Sequence, residues 1–577
     1  MHGGNIPRDK IMMRRYSRWV ALALLLAVGQ TSSGECSKDG GPRLLIVSHD
    51  QQAVFIPAFV IAEEQKLTGE QLERLIRETV DVHAEAGVDI VSLCFFARYS
   101  TGMPRCRTAQ TWKPTPDLFP RPANDFLYNA LQKLGDRDRM QVVVDQCHRR
   151  RIKCIANLRM NDRHRVTAYV KELYRRHPEW RLKSPAGAFS ERKGALDFKY
   201  KGVRDQLLAF TAELLERYDV DGIELDYMRM CHMFEPTEAK QHAHLLTEMM
   251  RSMRAQLSVA ARRRNRESLV LGVRIPSSLE ECDALGYEVK TWIRDGLVDY
   301  VTPADFWSTD FVARTEDFAA LTSQTSCKVY PSLSPTSSFP GESGYLTAAQ
   351  YRAAANNFYA FGADGLSAYN FFWTWAYQHR NVVAGLGTVW PTRSLEILTP
   401  LKNPAACRTG ARQYLAYPLW TGKNQPLWHN QSPTGVIRRD KIVLTANPEK
   451  SISTTRLRVA EQPSAGGMKF SLEMIVTGMA AEDHLQLSLN KHAIPESQLK
   501  KMRLKGPGRQ RITLAVCAVL EPVVSKSSPA HSRATRQLAR TSVFKEGAIF
   551  FISNAFSLSF RESITRGQTG FQPRFLW

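Results

Sequence analysis

The chain has 577 residues, more than one ordinary domain needs and comfortable for two. Its 43% hydrophobic and 23% charged residues are those of a globular protein, so most of it should bury a core. The net charge of +22 is large, but Lys and Arg are scattered over helix faces and loops with no basic run interleaved with aromatics. That argues against a nucleic-acid partner and leaves a solvated basic surface or an anionic glycan.

At the N-terminus, Arg14, Arg15 and Arg18 precede the apolar run Val20–Val28, and Ser32, Ser33 and Gly34 follow. This is the order of a secretory signal peptide, and the run is far shorter than the roughly 20 residues of a membrane span. Residues 1–35 are therefore expected to be a leader, those before Met12 being an upstream extension. The mature chain is expected to be secreted, periplasmic or at the cell surface, with no stable membrane span. The ten cysteines are dispersed, without C-x-x-C pairs or metal-type spacing, so no metal or other cofactor is expected. Cys147 and Cys154 read as buried thiols; Cys94 and Cys106, flanking one loop, are the single expected disulfide.

Short β-branched runs then alternate with helical stretches. The first strand is Leu44–Val47. Thr68 and Gln71 form a capping box, and Leu72, Leu75, Ile76 and Val80 share the helical face behind it. The second strand, Val88–Phe96, is followed by a long polar loop at 98–124, of a length that is usually functional or mobile. Further strands are Ile152–Leu158, Val220–Asp226, Leu269–Ile275, Val298–Thr302, Cys327–Tyr330 and Gly365–Tyr369. Eight βα units over 36–405 fit a (β/α)8 TIM barrel. A doubly wound sheet would need a Gly-rich phosphate turn after an early strand, and none is present. Over 406–523, strand-like runs (Lys441–Leu444, Phe470–Val476, Leu485–Leu489, Ile512–Val516) separated by Gly, Asn and Pro predict a small C-terminal β-sandwich. Residues 524–577, rich in Ser and Arg, are left unassigned or disordered.

Active sites of such barrels lie at the C-terminal ends of the strands. In Asp221-Gly-Ile-Glu-Leu-Asp226, alternation turns Ile223 and Leu225 toward the helices and Glu224 and Asp226 inward. Two inward carboxylates are costly unless they meet water, a cation or a substrate. Asp221, before Gly222, is expected only to shape the turn into the strand. Other strand ends supply Asp50, Arg98, Asn157, Arg159, Asp162, Arg274, Asp305 and Asn370, with aromatics Tyr227, Trp307, Tyr369 and Trp373 as platforms for sugar rings. Glycoside hydrolysis needs one carboxylic acid and one carboxylate nucleophile or base. Asp226 is the preferred nucleophile, with Asp305 or Glu224 as acid/base; an ion pair of the strand-four carboxylates with Arg159 or Arg274 is the structural alternative. Arg98 and Arg274 would orient carboxylates or bind an acidic sugar. Ser332 and Ser334 lack the G-x-S-x-G elbow of an esterase.

The runs His177–Trp180, Leu196–Phe198, Val203–Asp205 and Val220–Arg229 resemble the glycosyl-hydrolase-like, family-10-like barrels of bacterial exported proteins. Asp221, Gly222, Asp226 and Tyr227 match the fourth-strand pattern of those proteins. The resemblance, over about residues 43 to 400, implies that Asp226 falls where retaining α-glycosidase barrels carry a nucleophile, and Asp305 near where some carry an acid. Pro331–Ser334 stands where the large clan with a strand-seven Glu has its nucleophile, which counts against that clan. The expected activity is hydrolysis of a poly- or oligosaccharide, possibly an acidic one; the alternative is a non-catalytic carbohydrate-binding cell-surface protein on the same scaffold.

Overall fold

The structure is a computed structural model that describes residues 43–50, 55, 58–59, 62, 65–97, 100–111, 123–162, 168–182, 195–229, 231–305, 309–311, 313–334, 346–370 and 397–415, and in the C-terminal part 453–455, 460, 471–476, 484–489, 492–503, 510–515 and 558–563. The expected leader, the run Lys441–Leu444, and Arg98, Trp307 and Trp373 lie outside the described residues.

The strands are β1 (Leu44–His49), β2 (Ile90–Ala97), β3 (Lys153–Arg159), β4 (Gly222–Asp226), β5 (Val270–Pro276), β6 (Tyr300–Ala304), β7 (Lys328–Val329), β8 (Ser332–Leu333) and β9 (Gly365–Tyr369). Between them run α1 (Gly69–Glu85), α2 (Ala123–Leu134), α3 (Arg139–Arg149), α4 (Ala168–Arg176), α5 (Lys201–Arg217), α6 (Ala239–Arg263), α7 (Leu279–Ala284), α8 (Val289–Arg294), α9 (Thr315–Thr322) and α10 (Ala348–Ala360). The sheet order is β8-β9-β1-β2-β3-β4-β5-β6-β7, every one of these neighbours parallel. This is an α/β, TIM-barrel-like arrangement. The expected seventh strand is two pieces, because Pro331 has no N–H to give the ladder. Around that break Tyr330 N donates to Val301 O (2.9 Å), while Ser367 N donates to Pro331 O (3.1 Å). The Thr68–Gln71 capping box is present, and Leu72, Ile76 and Val80 are buried.

A motif recurs where strands begin. Asp89, Asp221, Asp299 and Asp364, each after Val or Ala, precede β2, β4, β6 and β9. Each carboxylate accepts from the backbone N–H of a residue on the preceding strand or at its edge: Leu45 (2.8 Å), Cys154 (2.7 Å), Leu271 (2.6 Å) and Val329 (3.0 Å). A cation attends each: Lys402 Nζ on Asp89 (2.9 Å), Arg266 on Asp221 (2.8 Å), Arg254 on Asp299 (2.7 Å) and Lys328 beside Asp364 (3.9 Å). Gly222 follows Asp221 because β5 passes close: a Cβ there would lie 2.2 Å from Val270 O.

Side chains alternate between two cores. Ile223 and Leu225 join the large helix-facing cluster. A separate small cluster of Ile46, Ile90, Ile155, Tyr300 and Tyr330 comes from the other parity of β1, β2, β3, β6 and the β7–β8 segment. Tyr300 fits because β5 carries Gly272 beside it; a Cβ there would lie 2.0 Å from the ring.

The C-terminal part holds β10 (Ser453–Thr455), β11 (Ser471–Val476), β12 (His484–Leu489), β13 (His492–Ile494), β14 (Leu499–Arg503), β15 (Gln510–Ala515) and β16 (Leu558–Ser563). They form two antiparallel sheets, β10-β16-β12-β13 and β11-β15-β14. β16 lies within 524–577, where the residue pattern predicts no element. Ile494 and Leu499 are buried in the large core cluster. The expected Cys94–Cys106 disulfide is not formed: both are free thiols, Cys94 bonding Phe96 O and Cys106 facing Glu213.

Candidate active site at the C-terminal ends of the strands

Glu224 sits deepest. Its Oε1 accepts from Ser92 Oγ (2.8 Å), Asn157 Nδ2 (2.7 Å) and, longer, Ser48 Oγ (3.4 Å); its Oε2 accepts from Tyr300 OH (2.8 Å). One β4 side chain reaches β1, β2, β3 and β6 only if those strands curve around it. The carboxylate is fully buried. Burial pushes its pKa up, against the pull of the Tyr300, Ser92 and Asn157 hydrogen bonds, and the burial effect wins.

Two residues on, toward the strand end, stands Asp226, also 0% exposed. Its in-register neighbours are Arg159 on β3 and Arg274 on β5. Oδ1 accepts from Arg274 Nη1 (3.0 Å) and from Met228 N–H (2.9 Å), where the chain turns into the 3-10 segment Tyr227–Arg229. Oδ2 is buried and has no hydrogen-bond partner among the described residues. A carboxylate with one oxygen fixed by a guanidinium and the other unpartnered is a directed acceptor in a dry place.

Arg274 organises the next layer. Nη2 donates to the backbone oxygen of Asp305 (2.8 Å), just past β6, so one guanidinium ties the Asp226 carboxylate to the main chain at Asp305. Its carbon lies 3.8 Å from the Tyr369 ring centroid, a cation–π contact. Arg159 pairs with Asp50, approaches Asp162 (3.5 Å) and donates to Tyr369 OH (3.1 Å). Arg229 approaches Asp162 (3.7 Å) from the other side. Asn370 adopts a left-handed φ of 48°, which Asn tolerates, and clasps Asp50: Asn370 Nδ2 donates to Asp50 Oδ2 (2.9 Å) and Asp50 N donates to Asn370 Oδ1 (2.9 Å). Burial opposes the Asp50 charge, but Arg159 and Arg229 outweigh it and hold the carboxyl below its ordinary pKa.

Asp50, Arg159, Asp226, Arg274, Asp305, Tyr369 and Asn370 thus fall near strand ends or just past them, while Asn157 and Glu224 lie a layer deeper within β3 and β4. Two of the expected platforms are otherwise engaged. Tyr227 packs against Tyr287 (4.8 Å) and Trp292 (5.7 Å), and its OH faces Met250 on α6, so it belongs to the helix-side core. It lies past the end of β4, where the 3-10 turn breaks the two-residue alternation. Tyr369 is 1% exposed, with one ring face under Arg274, and so braces the arginines. Residue patterns alone missed Ser48, Ser92, Tyr300 and Arg229. Strand parity could have found the first three; nothing periodic marks Arg229.

Among the described residues no group of three or more His, Cys, Asp or Glu side chains is placed to hold a metal ion. Burial pushes the Cys94 thiol up to about 12, so it is no thiolate nucleophile.

No family model matches this chain, and no curated protein matches it in sequence. Among solved structures it is similar to an α-L-fucosidase isoenzyme 2 from Paenibacillus thiaminolyticus, at 11% identity and a TM-score of 0.36, covering 63% of this chain and 49% of that one. It is similar to a β-galactosidase from Rahnella sp. R3, at 11% identity and a TM-score of 0.39, covering 66% and 58%. It is also similar to tryptophan synthase from M. tuberculosis, at 13% identity and a TM-score of 0.27, covering 63% and 93%. The chain thus spans about half the length of the fucosidase.

Proposed function

We propose that this chain is a secreted glycoside hydrolase acting on a poly- or oligosaccharide, built on a (β/α)8 barrel whose ring of strands is completed through the segment 328–333. Asp226 is the reacting carboxylate, and Asp305 supplies the proton to the leaving oxygen. Glu224 is a positioning residue: four donors occupy its oxygens, and it acts by holding Asn157 and Tyr300. Residues 1–35 are the leader, and the two C-terminal sheets pack as a sandwich beside the barrel.

The reading rests on one observation: Arg274 and a backbone amide fix Asp226 Oδ1, while the equally buried Oδ2 has no hydrogen-bond partner among the described residues. An ion pair kept only for stability gains from engaging both oxygens; a nucleophile needs one left for the sugar carbon. The wild-type mature protein should release product from a member of a broad glycan panel, and Asp226→Asn, still folded, should not. Binding without product in both forms would move the reading to a non-catalytic carbohydrate-binding protein, which the complete burial of Asp226 favours.

A further inference from the structure

The three arginines described around the site face carboxylates of the chain itself. Arg159 is paired with Asp50 and lies 3.5 Å from Asp162; Arg229 lies 3.7 Å from Asp162; Arg274 holds Asp226 at 3.0 Å. Each of these three guanidiniums therefore meets at least one carboxylate of the chain. The atom of this cluster nearest the proposed chemistry, Asp226 Oδ2, is buried without a hydrogen-bond partner among the described residues and is an acceptor. Arg159 Nε is also buried without a hydrogen-bond partner, but it belongs to a guanidinium that two carboxylates already approach.

We infer that the site takes an uncharged glycan and that Asp50 determines this, its carboxylate standing on Arg159 where the carboxylate of an acidic sugar would otherwise dock. This rests on the carbohydrate reading above. A sugar hydroxyl satisfies an open acceptor; a uronate brought to the same wall meets Asp50, Asp162 and Asp226 and finds each guanidinium already facing an anion. Asp50 is held for the task from two sides, by Arg159 and by the reciprocal Asn370 hydrogen bonds, so it does not swing aside at little cost.

The test measures affinities of oligogalacturonides and of neutral gluco- and galacto-oligosaccharides of equal length for the wild type and for Asp50→Asn, each checked by thermal unfolding. The wild type is expected to bind a neutral series at least tenfold more tightly than the acidic one. Asp50→Asn, which releases Arg159 but keeps an acceptor for Asn370, is expected to gain about tenfold or more for the acidic series. If Asp50→Asn does not fold, Asp162→Asn, which removes the second carboxylate facing Arg159 and the one facing Arg229, should shift preference the same way by a smaller factor. Wild-type preference for the acidic series overturns this inference and leaves the carbohydrate reading standing. A folded Asp50→Asn with unchanged preference overturns the role of Asp50. Binding of neither series by any form removes the carbohydrate reading and this inference together.

Discussion

At the N-terminal ends of the strands, Asp89, Asp221, Asp299 and Asp364 each give an oxygen to a neighbouring backbone N–H and meet a cation. At the C-terminal ends, Asp226 gives one oxygen to Arg274 and Met228, and its other oxygen is buried without a hydrogen-bond partner among the described residues. Asp221, just before β4, and Asp226, its last residue, stand five residues apart and belong to different ends. The first set ties strand starts to neighbouring strands at four places in the sheet. The second leaves a polar atom unsatisfied, which a fold tolerates where a ligand completes it. The lesson is that carboxylate identity says little until the partners of both oxygens are known.

The sharpest way to break this comparison is at the residue between the two ends. Glu224→Leu leaves Ser92, Asn157 and Tyr300 without their acceptor, and is expected to cost about 3–5 kcal/mol in urea unfolding. A cost below about 1 kcal/mol would mean the interior polar layer is not organised by Glu224.

A second test uses pH beside β1. His49 Nε2 and His83 Nε2 lie 2.7 Å apart, and His83 Nδ1 donates to Thr79 O (2.5 Å), so the buried pair is accommodated neutral, with His49 as donor. Burial, with the neighbouring imidazole, holds His49 well below its ordinary pKa, and burial lowers His83 to about 4. The unfolded state takes up these protons first, so stability is full above about pH 6.5 and falls as pH drops toward 4. His83 alone should contribute about 3 kcal/mol of that loss, and His83→Gln should flatten the stability profile over this window. An unchanged slope in the variant would show the pair is not the acid-sensitive element.

Smaller effects sharpen the account at the strand starts. Asp299→Ala removes the acceptor for Leu271 N–H and the partner of Arg254, and is expected to cost about 1–3 kcal/mol without changing turnover per folded molecule. Thr68→Ala, which breaks only the capping box of α1, should cost about 1 kcal/mol and leave activity untouched.

Much of this was legible in the sequence, for local reasons. The alternation in Asp221–Asp226 places Ile223 and Leu225 outward and Glu224 and Asp226 inward, and the cores separate that way. Alternation tells which face a side chain takes, not its depth, so Glu224 read as a catalytic candidate although four donors close over it. Depth follows from strand register, which is a long-range property. Tyr227 read as a sugar platform because it follows the strand; the 3-10 turn sends it to the helices instead. The Val-Asp and Ala-Asp pairs before β2, β4, β6 and β9 are plain in the sequence, but only the backbone amides they meet show them to be clamps.

Asp221→Asn and Asp226→Asn, compared side by side for unfolding free energy and for hydrolysis per folded molecule on the best glycan substrate, separate the two ends. Asp221→Asn is expected to lose about 1–3 kcal/mol of stability and keep near-wild-type turnover, while Asp226→Asn, which also loses stability by discharging the partner of buried Arg274, loses turnover per folded molecule by about a thousandfold or more. Turnover that survives in Asp226→Asn, or that falls equally in both variants, would contradict the division between a structural end and a chemical end.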